Sequence, residues 1–290
     1  MDPAGEELSV IELPEAAVLA AQLRESVVAR TVRAARAATT AHRLTWYFGD
    51  PAGYGDLLEG RTVAAARAWG GHVELELTGE VLLVLSEGAS PRLIAAGATV
   101  PERHQLRLDL DDGSTLVVTI AMYGGVQAFP DGANDNRYYL LAREAPSPLA
   151  DGFDAGALLA TPRAERLSAK ALLATEQRVP GLGNGVLQDI LWTAGVHPRS
   201  KVADLSDDAR RALVAAVPAV LRRMADQGGR DTERDLYGRP GGYRTVLSRH
   251  TVELPCPRCG GPVTKEQYLG GAVYFCRTCQ PLDQAARRAT

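Results

Sequence analysis

The period of the apolar positions changes twice along the chain. Leu13, Val18, Leu19, Leu23 and Val27 recur at near-helical spacing around Pro14, so a helix is predicted over residues 12–37. From Thr62 to Phe129 the period drops to two. Val73–Leu77, Leu106–Leu110 and Leu116–Ile120 alternate, the last two flanking the turn Asp111-Asp112-Gly113, and Val81–Leu85 is a continuous apolar run. Residues 130–162 are rich in Pro, Gly, Asn and Asp and mark a boundary. Helical spacing returns between Ala164 and Asp226, over 167–174, 186–194 and 207–227, with Ser206 placed to cap the last helix. Gly228–Tyr243 reads as loop.

The pattern predicts an α+β chain: an N-terminal helix with a mostly antiparallel sheet or β-sandwich, then a helical domain. Its expected segments are an extension (1–10), the β domain (11–130), a linker (131–163), the helical domain (164–245), a cysteine-bearing module (246–282) and a tail (283–290).

Composition adds limits. At 46% apolar and 23% charged residues the chain can build a core, which excludes disordered, collagen-like and coiled-coil readings. No apolar run reaches the roughly 18 residues of a membrane span. The acidic start lacks a secretory signal, so a cytoplasmic protein is expected. The net charge of −3 hides an asymmetry. Residues 1–150 hold 12 Lys and Arg against 20 Asp and Glu, whereas residues 151–290 hold 20 against 15. A basic second half suits a polyanion partner or a solvated basic surface.

All four cysteines fall in the last 35 residues, as Cys256-Pro-Arg-Cys259 and Cys276-Arg-Thr-Cys279 with 16 residues between the pairs. Two such knuckles can aim four thiolates at one tetrahedral ion, with the intervening residues as a hairpin, so a structural zinc (Zn2+) ribbon is predicted. A disulfide does not suit the expected compartment, and a redox dithiol lacks its strand–helix context. Four thiolates leave no open coordination position. His42, His72, His104 and His250 are isolated and read as surface or satisfied side chains, and His197 as a turn residue.

Val179-Pro-Gly-Leu-Gly-Asn184 lies between two predicted helices. Glycines there admit a close ligand, and the N–H groups of the following helix suit a phosphate, although a plain helix–turn–helix corner has the same local pattern. The order of parts carries more. Ile11-Glu-Leu-Pro-Glu15, the run from Lys170 to Gln177 through Gly183-Asn184 to Ala194-Gly-Val-His-Pro198, the Tyr237-Gly-Arg element and the ribbon ending Cys279-Gln280 together resemble the formamidopyrimidine-DNA glycosylase/endonuclease VIII family over residues 10–282.

The resemblance implies base excision repair. Such enzymes flip a damaged base from the duplex, cut its glycosidic bond and, in bifunctional members, nick the strand. It implies a helix–two-turn–helix DNA grip beside the ribbon, with double-stranded DNA carrying a damaged base or abasic site lying across the cleft between the halves. The chain would act as a monomer, cytoplasmic and nucleoid-associated when bound. It places Glu12 on the catalytic glutamate (general acid/base) and Glu15 on the second acid of the motif. Asn184 falls on the phosphate-contacting asparagine of the loop shared with Gly183, and Lys170 and Tyr237 fall on the DNA face.

The nucleophile of the family is an N-terminal proline, and its position here is Ile11, which is internal and has no amine. A start at Val10 read as Met would still leave an isoleucine. Two family basic residues align with Gly71 and Gly271, and the wedge positions align with Ala89 and Ala121, leaving Tyr123 as the side chain to fill a vacated stack. The expectation is therefore a monofunctional DNA glycosylase in which Glu12 activates water and no proline Schiff base forms. The alternative is a non-catalytic protein of the same fold that binds lesions or distorted duplex.

Overall fold

The computed structural model describes residues 10–176 and 178–282. The predicted extension before Val10, Gln177 and the tail 283–290 lie outside the described residues. The chain forms two compact units, one from residues up to 144 plus 227–242, the other from 145–226 plus the segment from 243 on. The strip 227–242 thus clusters with the first unit and not with the helices that precede it.

The first unit opens with helix α1 (Leu13–Ser26), whose N-cap Glu12 is extended and whose first turn holds Pro14. Leu13, Ala16, Leu19, Ala20 and Leu23 are its buried stripe. The helix stops eleven residues short of its predicted end: Ala29 takes a left-handed φ of 68°, and Val32–Ala37 is strand β1. Helix propensity separates alanine from β-branched residues by only tenths of a kcal/mol each. Burying one valine gains about 1.5–3 kcal/mol. Val32 and Ala35 enter the core by pairing β1 with β6 (Leu106–Leu110), so packing overrides the alanine-rich sequence.

The remaining elements are β2 (Thr45–Trp46), α2 (Tyr54–Leu58), β3 (Val63–Trp69), β4 (His72–Leu77), β5 (Val81–Ile94), β7 (Thr115–Pro130) and α3 (Arg137–Glu144). Their sheet order is β1-β6-β7-β5-β4-β3, with β2 parallel to β7. The long strands β5 and β7 serve two leaflets. Their Leu93–Ala89 and Leu116–Ile120 halves join β6 and β1, and their Val81–Ser86 and Gly125–Pro130 halves join β4 and β3. Leu75, Leu83 and Leu85 from one leaflet and Leu106, Leu108 and Leu116 from the other fill one core with α1, the expected sandwich. The leaflets meet at a bulge where Gly88 of β5 stands opposite residues 121–123 of β7. A Cβ at Gly88 would collide with the Tyr123 carbonyl, so the bulge requires glycine. Helix α3 lies within the predicted linker and buries Tyr139 beneath it.

The second unit holds α4 (Pro162–Glu165), a π-helical turn (Ala171–Thr175), α5 (Asn184–Ala194), α6 (Asp207–Asp226) and the hairpin β8 (Val263–Tyr268) and β9 (Gly271–Cys276). The helix predicted over 167–174 shrinks to that one wide turn. The N–H groups of Ala169 and Lys170 donate to Ser200 and Pro198 instead of to a preceding helical turn. Ser206 caps α6 as expected, its Oγ accepting from the Ala209 N–H at 3.2 Å. Among the described residues no helix is long and apolar enough to cross a membrane.

Candidate active site and nucleic-acid interface

In the first unit the Ile11–Glu15 motif feeds a buried charge cluster. The Ile11 N–H donates to the Glu87 carbonyl at 2.6 Å, which docks the chain on the β5 side of the bulge and leaves Glu12 at the head of α1. Glu12, Glu15, Arg230 and Glu233 are all less than a tenth exposed. Arg230 grips Glu15 through Nε at 2.9 Å, Nη2 at 2.8 Å and its own backbone N–H at 3.1 Å. The same guanidinium lies 3.8 Å from Glu12 Oε1 and 3.7 Å from Glu233 Oε1. Burial opposes the charge on Arg230, but Glu12 and Glu15 outweigh it and hold the group firmly cationic. Glu233 is pushed up to about 7 by burial, with Glu15 and Glu12 adding to the rise and Arg230 opposing it. Its Oε2 accepts from the Val10 N–H at 2.7 Å.

Both sequence candidates in the motif therefore reach one site with different surroundings. Glu15 is locked by three donors, while Glu12 sits at the longer distance from the shared guanidinium. Arg230 and Glu233 escaped sequence reasoning. An Arg with a Glu three positions later in a charged loop reads as surface, and only the return of 227–242 to the first unit buries them.

Met122 and Tyr123 project from the bulge and are about two-fifths exposed, and the Tyr123 ring stacks on exposed Trp46 at 5.9 Å between centroids and 8° between planes. Burial, then the charges of Glu87 and Glu12, raise the Tyr123 pKa. Of the two aligned wedge positions, Ala89 is fully buried. Gly71 lies in the two-residue turn between β3 and β4. Tyr237 is exposed, and its hydroxyl meets Ser26 Oγ at the end of α1 at 2.5 Å.

In the second unit three of the sequence-derived positions converge on the hairpin tip. Gly183 caps α5 in an extended conformation, and its carbonyl accepts from Leu187 in the first turn. Asn184, the first helical residue, packs so closely on Gly271 that a Cβ there would collide with its side-chain amide. Lys170 is 1% exposed and donates from Nζ to Tyr268 O at 2.5 Å and to Gly271 O at 3.5 Å. Burial lowers its pKa. Gln188 joins α5 to β9, donating to Ala272 O and accepting from Tyr274 N. Neither this residue nor Asp189, which accepts from the N–H groups of Val246 and Leu247, carries a sequence signal.

The four cysteine sulfurs lie within 4.8 Å of one another. Burial works against ionising Cys256, but N–H donors led by the Trp192 indole outweigh it and bring the thiol down to about 6. Burial and the neighbouring sulfurs push Cys279 the other way, to about 12. Four thiols this close together are a soft donor set of the kind a dication would stabilise.

A sandwich led by an Ile-Glu-Leu-Pro-Glu helix, followed by a helical unit closed by a four-thiol hairpin, defines the class to which the comparisons also point. The formamidopyrimidine-DNA glycosylase N-terminal domain matches residues 10–134. The formamidopyrimidine-DNA glycosylase of Nocardia farcinica is 30% identical over 288 residues, spanning 93% of this chain and 98% of the relative. That of Paracoccus denitrificans is 30% identical over 285 residues, spanning 93% and 99%. Among solved structures, the MutM (Fpg) protein of Thermus thermophilus superposes with a TM-score of 0.78 at 25% identity, covering 93% of this chain and 99% of that one. The Lactococcus lactis Fpg in complex with abasic-site DNA has the same fold, with a TM-score of 0.80 at 21% identity and the same coverage. The chain belongs to the formamidopyrimidine-DNA glycosylase family.

Proposed function

We propose that this protein is a monofunctional DNA glycosylase of base excision repair that removes a damaged base from duplex DNA by hydrolysis. The observation that carries the reading is the course of the main chain through the motif. Ile11 enters as a hydrogen-bonded peptide and Val10 continues upstream of it, while Glu12 keeps its place among the buried charges. A peptide nitrogen cannot form an iminium with C1′ of the sugar, whereas a carboxylate can take a proton from water. Water oxygen then bonds to C1′, the bond from C1′ to the base nitrogen breaks with its electron pair going to the base, and Glu12 returns the proton to the departing base. The product is an abasic site in an uncut strand.

In this reading Glu12 is the catalytic residue, and Glu15 holds Arg230. Asn184 and Gly183 offer the N-terminus of α5 to a backbone phosphate, and Lys170 stiffens the hairpin tip beside them. Tyr123, backed by Trp46, fills the gap left by the flipped base, and Tyr237 lies on the DNA face. Cys256, Cys259, Cys276 and Cys279 hold a zinc ion whose role is structural. The protein works as a cytoplasmic monomer on DNA.

The test is a panel of duplexes bearing oxidised, alkylated, deaminated or crosslinked bases, incubated with the protein and then treated with alkali. Alkali-dependent cleavage that disappears in Glu12→Gln is expected. Tight, lesion-selective binding without cleavage would replace this reading with that of a lesion-binding relative.

A further inference from the structure

The four sulfurs of the ribbon are not equally placed. Cys256 and Cys276 are buried, whereas Cys259 is exposed and Cys279 half-buried. Four thiolates around one dication carry more negative charge than the ion neutralises, and a buried sulfur bearing part of the excess is costly without hydrogen-bond donors. Cys259 accepts from the Gly261 N–H at 3.4 Å, within the loop that follows its own knuckle. Cys256 is served from outside the ribbon. The Trp192 indole donates from Nε1 to its Sγ at 3.5 Å, from the last turn of α5 and across 64 residues of sequence.

The indole is itself polarised. Arg258, which lies between the two cysteines of the first knuckle, places its guanidinium over the Trp192 ring at 4.2 Å from the centroid and donates to the Thr193 carbonyl at 3.4 Å. A cation on the ring face draws π density towards itself and makes the ring N–H a stronger donor. The knuckle thus lays a cation on the helix, and the helix returns a hydrogen bond to the knuckle. The second knuckle is tied to the same end of α5 in another way. Buried Gln280 accepts from the Cys276 N–H at 3.0 Å and donates to the Val196 carbonyl at 2.9 Å, and neither bond involves a sulfur.

We propose that Trp192 is a positioning residue for the metal centre: its indole N–H, strengthened by Arg258, draws charge from the Cys256 sulfur and holds it in place. The inference rests on the zinc reading of the four cysteines. A hydrogen bond to a ligand sulfur lowers the energy of the electrons that sulfur donates, and losing the bond raises them. An indole that merely filled space would leave those electrons unchanged.

The test uses the full chain loaded with cobalt(II), whose sulfur-to-metal charge-transfer band reads the energy of the sulfur electrons directly. Trp192→Phe keeps a ring and removes the N–H. In this variant the band is expected to move to longer wavelength, and zinc affinity measured by chelator competition to fall about tenfold. Arg258→Met should move the band the same way by less. Gln280→Leu loosens the second knuckle without touching a sulfur, so it should weaken metal binding and leave the band in place. An unmoved band in Trp192→Phe, or in Arg258→Met should Trp192→Phe fail to fold, overturns the inference, as does an equal shift in Gln280→Leu. A shift in Trp192→Phe alone keeps the hydrogen bond and removes Arg258 from it. Wild-type protein that takes up no cobalt overturns the zinc reading itself.

Discussion

The ribbon and the acid cluster are both crowded sets of ionisable groups, and they are built in opposite ways. The four thiols come from 24 consecutive residues, repel one another and call for a cation from outside. The acid cluster joins residues 215 positions apart in Glu15 and Arg230 and brings its own cation. A set of the first kind is announced by its spacing. One of the second kind exists only once the chain has closed, so its members look like ordinary surface charges until then. The same contrast holds for chemistry in the proposed function: the ribbon offers four thiols as a ligand set, while the acid site would work through a carboxylate where Ile11 offers only a peptide nitrogen.

The largest expected effect breaks the ribbon alone. Structural zinc in such sites contributes apparent binding energies of roughly 10–16 kcal/mol. Chelation or Cys276→Ser should therefore unfold β8 and β9 and weaken DNA binding, with α1 keeping its hydrogen-exchange protection. Unchanged exchange in the hairpin after metal loss would show that the thiols pack without an ion. Next comes the internal cation. Arg230→Met leaves three buried carboxyl groups without a counter-charge, and breaking a buried pair from one side costs about 3–5 kcal/mol. Urea unfolding should register that loss in the first unit with zinc content unchanged.

The acid cluster should also make stability depend on pH in an unusual direction. The folded-state pKa of Glu233 lies above its ordinary carboxylate value, so folding favours the protonated form. Its contribution is fully present below about pH 4.5 and is lost as pH rises to about 7, a decline of about 3 kcal/mol. Glu233→Gln should remove that slope from denaturation midpoints measured between pH 5 and 8, whereas an unaltered slope would assign it to another group. The smallest effect is expected where the ribbon joins its helix by neutral bonds: Gln188→Leu strands the Tyr274 N–H and Ala272 carbonyl, at about 1–3 kcal/mol.

The legible parts of the molecule follow this division. Period-two alternation gave away β4 and β6, and the cysteine spacing gave away the hairpin, because each signal lies within a few residues of what it predicts. The predicted first helix overran into β1, since the pairing of Val32–Ala37 with β6 is a non-local gain that local propensity cannot register. The helix predicted over 167–174 failed for the same reason, its first donors being taken by the 198–200 turn. At the site, Glu12 and Glu15 were visible through the motif, while Arg230 and Glu233 depended on a strip that returns from the far end of the helical segment. The stacking of Trp46 on Tyr123 had no local signal either, because β2 reaches β7 across nearly eighty residues.

In the proposed mechanism Glu12 acts on water and no amine acts on the sugar. The most direct measurement incubates wild-type protein and Glu12→Gln with a lesion duplex in the presence of borohydride, then divides each sample between a protein gel and alkali treatment. Alkali-revealed abasic sites are expected with wild type, none with Glu12→Gln, and no covalent protein–DNA adduct in either. A trapped adduct, or strand cleavage before alkali is added, would contradict that mechanism.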